Sequence, residues 1–330
     1  MNSIRRNLLH LAKRNSIYKI SQKYLSSVEV QQRRSELFSL EQQRQKDSVG
    51  RIEKIEVRYL GLPNDTTLIM NKGLSTPYNC AQHLGEMHCN RSALALIDSH
   101  TPWDMNRPLQ ESCTLQLLNF TISDPQLVNR VFWRSCSFML GAVLQGCFKD
   151  EAHLHLHSFP SPNVKTGSFV HDIFIKEPSW APNKDELRTI AAEMRKLAAK
   201  NLKIERLDVN LDLALEMFKD NPFKNEQLPS IVSNTYGGTA TIYRVGDHVD
   251  ISRGPMIGST GLLGKCSITS VHRIGSEAEG ALYRVQGVAL PTGFHVNHFA
   301  YGILEDRSRK LNPARLPHEP YEDPFRNRIA

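Results

Sequence analysis

Apolar residues along this chain switch between a two-residue repeat and a three-to-four-residue repeat, and the switches mark its elements. In residues 52–60 (IEKIEVRYL), Ile52, Ile55, Val57 and Tyr59 fall among charged residues as in a half-buried strand. Turn chemistry at Gly61–Asp65 leads to a second strand, Thr66–Met70. Ser75, whose hydroxyl can accept from first-turn amides, is placed to cap a helix through Cys80–Met87. Ala93–Ile97 predicts a strand, Pro102-Trp103-Asp104 begins a turn, and Cys113–Leu118 predicts another strand. From Pro125 to Phe148 the repeat is helical, with Val128, Val131, Phe132, Cys136, Met139, Leu140 and Val143 near one face. Strand patterns return at His153–Phe159 and Ser168–Ile175. Lys184–Asn201 predicts a helix capped by Asn183 or Asp185, with Leu187, Ile190, Ala191, Met194 and Leu197 as its apolar face. Leu211–Phe218 predicts a short helix ending at Asn221-Pro222, and Ala240–Val245, Ser267–Ile274 and Ala281–Ala289 predict strands.

The elements of residues 51–120 make a small β-grasp module, and those of 125–303 a larger α+β unit. Residues 29–47 predict a helix whose only strong apolar group is Leu37, Phe38 and Leu40, within a connector spanning 29–50. So thin a stripe either docks on a partner or belongs to a solvated connector. At the other end, Pro313, Pro317, Pro320 and Pro324 exclude regular elements and predict an extended tail over 304–330.

With 330 residues, 40% hydrophobic and 23% charged, the chain can bury a sizeable core in more than one domain. No apolar run approaches the ~20 residues of a membrane-spanning helix. The formal charge of +7 points to nucleic acid, but its position changes that picture. Residues 1–28 hold Arg5, Arg6, Lys13, Arg14, Lys19 and Lys23 and no acidic residue. The remainder carries 35 basic against 34 acidic side chains, so any RNA contact must come from local patches. In the leader, Ile4, Leu8, Leu11 and Ala12 recur at helical spacing among the basic residues, which predicts a mitochondrial transit peptide. The same basic residues interrupt the apolar run that a secretory signal needs.

Other chemical signals are weaker. Cys80, Cys89, Cys113, Cys136, Cys147 and Cys266 lack CxxC spacing and read as ordinary thiols. His153, His155 and His157 share one face of a strand, as zinc ligands can. No Cys or carboxylate of fitting spacing lies beside them, so they read as the strand's polar face. Residues 261–266 (GLLGKC) glance at a phosphate loop, but Ser259 and Cys266 occupy its defining Gly and Ser/Thr positions, and a turn between strands is expected.

Two short motifs carry more. One reads Arg134-Ser135-Cys136-Ser137-Phe138-Met139-Leu140-Gly141 and the other Asp250-Ile251-Ser252-Arg253-Gly254-Pro255-Met256. With the helix TPYNCAQHLGE, the strand Phe169–Ile173, the helix DELRTIAAEMRKLAAKN and the segment Gln286–Ala289, they resemble threonyl-tRNA synthetases. Residues 51–120 are similar to the TGS module of that family, and 125–303 to its editing domain. The family marks its editing site with His-Ser-Cys-Ala-His on a helix and Cys-Arg-Gly-Pro-His on a turn, where a misattached seryl ester is hydrolysed. Here the framework residues match, while the four functional positions read Arg134, Phe138, Ser252 and Met256. Arginine stays protonated, Phe138 and Met256 exchange no proton, and Ser252 has no base beside it. The resemblance therefore implies a degenerate editing-like site with no catalytic residue, cofactor, metal or small-molecule substrate. It also leaves no room for an aminoacylation core.

A mitochondrial leader joined to a TGS module and an inactive editing domain resembles a family of mitochondrial large-subunit ribosomal proteins. That resemblance implies a structural constituent in the mitochondrial matrix, with mitochondrial rRNA and other mitochondrial large-subunit ribosomal proteins as partners. Competing readings are a mitochondrial RNA-binding regulator or assembly factor, and a free-standing tRNA-editing deacylase, against which the replaced residues speak. Candidate rRNA contacts are Lys196, Lys200 and Lys203, and then Arg307, Arg309, Lys310 and Arg315, although such runs are usually solvated faces. Arg134 is either an ion-paired or solvated helix residue or a phosphate contact in the former tRNA cleft, and Arg134→Ala is expected to leave folding intact.

Overall fold

The computed structural model describes residues 26–62, 64–176, 179–277 and 280–317. The expected leader, apart from residues 26–28, and the tail beyond Pro317 lie outside the described residues.

Helix α1 (Ser27–Asp47) begins inside the segment read as leader, where Ser26 and Glu29 exchange a capping box. Its buried residues Val30, Arg34 and Phe38 recur once per turn. Of the thin stripe, Phe38 and Leu37 pack within the chain, whereas Leu40 is 69% exposed. Arg34 Nε donates to Met217 O at 3.1 Å, and Arg33 pairs with Asp220 at 2.6 Å. The guanidinium of Arg244 lies over the fully buried Phe38 ring, 4.4 Å from its centroid.

Strands β1 (Lys54–Tyr59), β2 (Thr66–Asn71), β3 (Leu94–Ile97), β4 (Thr101–Trp103) and β5 (Cys113–Leu118) form a five-stranded sheet. Its order is β2-β1-β5-β3-β4, with β1 and β5 parallel at the centre. Helices α2 (Pro77–Leu84) and α3 (Glu86–Arg91) follow β2, and Cys80 and Ala81 of α2 share a core with Ile55, Val57 and Leu115. Thr76, not Ser75, caps α2; the Ser75 hydroxyl instead accepts from Asn71 N at 3.0 Å. Residues 101–103 pair with β3, and the expected turn comes next, at Asp104–Arg107.

The larger part of this α+β fold has two sheets. Strands β6 (His155–Ser158), β7 (Phe169–Ile175), β11 (Leu263–Glu277) and β12 (Gly280–Pro291) form an antiparallel sheet in the order β11-β12-β7-β6. Helix α4 (Gln126–Cys147) packs on β7 and helix α5 (Lys184–Ala199) on β11. Strand β12 is buried along nearly its whole length because both its faces are covered. Tyr283, Val285 and Ala289 face the helical core, whereas Arg284 and Gln286 hold the segment after helix α8 (His298–Ser308). Arg284 pairs with Asp172 at 2.8 Å and donates to the carbonyls of Asn312 (3.0 Å), Ala314 (2.6 Å) and Arg315 (2.8 Å). The expected extended tail is thus helical through Ser308 and then strapped to the sheet.

Strands β8 (Glu205–Val209), β9 (Ala240–Val245) and β10 (His248–Ile251) make the remaining sheet, in the order β10-β9-β8. It shares a core with α1, α6 (Leu211–Met217) and α7 (Pro222–Ser233), built around Phe38, Leu207, Phe218 and Ile242. The pattern of apolar positions did not mark β8, α7 or β10. Residues 263–266, expected as a turn, already belong to β11, whose register shifts between Leu263 and Cys266.

Candidate functional site

Helix α4 and the turn after β10 bring the two motifs together. Positions 134 and 138 stand one turn apart on α4 and so share a face. Toward that face comes the segment Ser252–Met256, with Gly254 at φ +66°. That conformation suits glycine, and an added Cβ there would collide with the Tyr243 hydroxyl. Gly141, on the same helix, admits His171: a Cβ would fall 2.5 Å from its Cε1.

Each of the four positions is buried between the helix and the turn. The Arg134 guanidinium donates to Gly254 O, to Pro255 O at 3.3 Å and to Ser161 Oγ at 3.5 Å. Its neighbour Ser135 donates to Val131 O (2.9 Å) and accepts from Ile257 N (2.9 Å), so adjacent residues staple the turn to the helix. Phe138 is wholly buried, edge-on to Tyr243 at 6.3 Å and tilted over His248 at 5.0 Å. Met256 is 1% exposed in the same core, and the Ser252 hydroxyl accepts from Gly254 N at 3.3 Å. Apolar side chains and internal hydrogen bonds occupy the space between the helix and the turn.

Arg134, expected as an ion-paired or solvated helix residue or as a phosphate contact, is 9% exposed and engaged with backbone carbonyls of the turn. Burial lowers its pKa, against the nearby Tyr243 and Asp104. An arginine in this position caps backbone carbonyls whose lone pairs would otherwise be buried unpaired.

The first sheet completes the arrangement. Asp104, in the turn after β4, accepts from the Tyr243 hydroxyl (2.9 and 3.0 Å), from Met256 N (2.8 Å) and from Arg206 (3.4 Å). Burial opposes the charge of Arg206, but Tyr243, Asp208 and Asp104 outweigh it and hold the guanidinium above its ordinary range. Asn106 donates to Ile204 O (2.9 Å) and Gly258 O (2.7 Å), which fixes the turn from the other side. No sequence spacing pointed to either residue.

Beneath Phe138 lies a buried polar group. Lys224 and Asp250 pair at 2.7 Å with side chains 3% and 1% exposed. His171 Nδ1 donates to Ser137 O at 2.9 Å, which leaves Nε2 as an acceptor without a partner among the described residues. His248 Nδ1 meets Gln145 Oε1 at 2.9 Å, and among the described residues its Nε2 and Asp250 Oδ2 also lack hydrogen-bond partners. Burial pushes the imidazoles down, His171 to about 4 and His248 to about 3. Burial opposes ionised Asp250, but Lys224 and the two histidines outweigh it and hold the carboxyl below its ordinary range. The group contains proton acceptors and an ion pair, and among the described residues no Cys, Ser or Thr side chain is hydrogen-bonded to either imidazole. Lys224, His248 and Gln145 gave no signal in the sequence, being 26, 2 and 105 positions from Asp250.

The remaining candidates are peripheral. Lys196, Lys200 and Lys203 are exposed on and just after α5; Lys196 pairs with Glu193 at 2.6 Å and Lys203 lies 5.4 Å from the Tyr78 ring centroid. Arg307, Arg309, Lys310 and Arg315 are exposed at the end of α8 and beyond; Arg307 donates to Lys165 O and Arg309 pairs with Asp306. His155 and His157 pack against Phe223, and His153, in a left-handed conformation, precedes the strand. Among the described residues no group of three His, Cys, Asp or Glu side chains is arranged to hold a metal. An open cavity of ≈ 430 Å³ between residues 158–166 and 313–317 remains beside Ser161, the hydroxyl that Arg134 reaches.

No family model matches the chain. It is 64% identical over 292 residues to the large ribosomal subunit protein mL39 of Drosophila melanogaster, covering 88% of this chain and 87% of that protein. It is 29% identical over 266 residues to the threonine–tRNA ligase of Thermotoga maritima, covering 79% of this chain but 38% of the ligase. Against the cytoplasmic threonine–tRNA ligase 1 of Homo sapiens it is 27% identical over 237 residues, 30% of that enzyme's length.

Proposed function

The chain belongs to the mL39 family of large ribosomal subunit proteins, and we propose from this premise that it is a non-enzymatic structural constituent of the mitochondrial large ribosomal subunit. The observation that carries the reading is 64% identity along nearly the whole of both proteins, to a relative that is itself a subunit protein. A regulator or assembly factor is disfavoured on the same ground. The packing around Arg134, Phe138, Ser252 and Met256 supports the loss of chemistry: the groups that replaced an acid–base set hold a turn in place.

In this reading the β-grasp unit (51–120) and the editing-like unit (125–303) are platforms whose surfaces meet rRNA and neighbouring ribosomal proteins in the mitochondrial matrix. The exposed cations Lys196, Lys200 and Lys203, with Arg307, Arg309, Lys310 and Arg315, are the side chains proposed to meet rRNA phosphate. Sedimentation of mitochondrial lysate through high-salt gradients tests the assignment. The protein is expected in the large-subunit fractions at one copy per particle. Loss of the protein from those fractions at a salt concentration that leaves the particle intact would refute it.

A further inference from the structure

Exposed apolar side chains gather at the C-terminal end of the fold. Phe299 (78% exposed) and Ile303 (54%) stand one turn apart on α8, and Phe294 (41%) and Val296 (39%) lie on the loop that leads into it. The inward side of α8 is already occupied. Tyr301 is buried, its hydroxyl 3.1 Å from Ser267 Oγ, with the Lys265 ammonium 3.7 Å from its ring centroid. Gly302 sits beside the outward pair, and a Cβ added there would meet nothing within 4 Å, so another backbone can approach closely. Single exposed apolar residues need no explanation, but a Phe and an Ile at i, i+4 beside an open glycine form the anchor pattern of helix-in-groove recognition.

We propose that this face of α8 docks an amphipathic helix of a neighbouring large-subunit protein whose polar edge is acidic; the inference rests on the ribosomal reading above. Charge selects the occupant. Residues 294–311 carry Arg307, Arg309 and Lys310 against Glu305 and Asp306, and Lys265 adds a further cation on the adjacent strand. Asp306 is already paired with Arg309, so the uncompensated charge beside the apolar pair is positive. A second copy of this chain would bring the same excess of cations and is disfavoured. RNA is disfavoured on the apolar face itself, because a phosphate backbone offers no apolar counterpart to Phe299 and Ile303.

Replacing Phe299 with the photo-crosslinker p-benzoylphenylalanine in the full chain, followed by irradiation of isolated large subunits, tests the proposal. The expected product joins position 299 to one helix of another subunit protein, with apolar residues at helical spacing and acidic residues at its edge. The double variant F299D/I303D is expected to keep its melting midpoint, since both side chains are exposed. Its occupancy on salt-washed particles should fall about tenfold, the loss that follows removal of an interface anchor. A cross-link to rRNA or to a second copy, or no cross-link from a chain present in the particle, would overturn the proposal. Absence of the unsubstituted chain from the particle would refute the ribosomal assignment itself, and the docking face with it.

Discussion

Replacing Arg134 with alanine removes the guanidinium that donates to the carbonyls of Gly254 and Pro255 and leaves the first acceptor buried and the second part-buried against α4. Hydrogen bonds to a charged donor contribute about 1.5–3 kcal/mol each. Arg134 is 9% exposed, so part of that gain is offset by the cost of burying its charge, the same effect that lowers its pKa. The net loss is about 2 kcal/mol when two such bonds are set against one partly desolvated cation. With an unfolding entropy of ~2.1 cal/mol/K per residue, this is a fall of about 3 °C in the melting midpoint for a chain of this length. Urea unfolding followed by tryptophan fluorescence is a suitable assay, because the neighbouring Trp133 is buried. Arg134→Met separates the causes by keeping the stem and losing the donors. Equal losses in the alanine and methionine variants assign the effect to the carbonyls, whereas a loss in alanine alone assigns it to packing. Both variants within about 0.5 kcal/mol of the unaltered chain, the usual range for surface changes, would refute the account of Arg134 as an internal cap.

Two further outcomes follow from buried charge. His171 and His248 are neutral in the fold, with pKa values pushed down to about 4 and about 3, while an unfolded histidine titrates near ~6.5. Their contribution is therefore complete above ~6.5 and is lost as pH falls toward those values, at up to ~1.4 kcal/mol per pH unit for each. A flat profile of unfolding free energy between pH 6.5 and 4.5 would contradict the burial of both rings. Arg284→Met strands Asp172 in the core and takes the donor from the carbonyls of Asn312, Ala314 and Arg315. Breaking a buried pair from one side costs about 3–5 kcal/mol, and limited proteolysis is expected to cut sooner within 309–317. Unchanged melting together with an unchanged cleavage pattern would count against the strap.

Local periodicity revealed much of the fold. The long helix α4 was visible because Val128, Phe132, Met139 and Val143 repeat at helical spacing, and α5 because Asn183 caps a similar stripe. Helix α7 was hidden by Pro229 in its interior and by a weakly segregated apolar pattern. The fate of α1 was illegible for another reason: Arg33 and Arg34 find Asp220 nearly two hundred residues away, and nothing local announces it. The replaced editing positions could be located by resemblance, but the role of each new side chain could not. Arg134 binds backbone carbonyls, which have no sequence identity, and Asp104 reaches Met256 and Tyr243 from a different sheet. Side chains serving distant backbone groups leave no spacing to read.

The central claim is that a hydrolytic site has become packed core in a ribosomal component. Hydrolysis of seryl-tRNA by the purified full chain, compared with the rate without protein at neutral pH, tests it most directly. The account predicts indistinguishable rates, because Arg134, Phe138 and Met256 occupy the site and Ser252 lacks a base. Protein-dependent release of serine with turnover would contradict it.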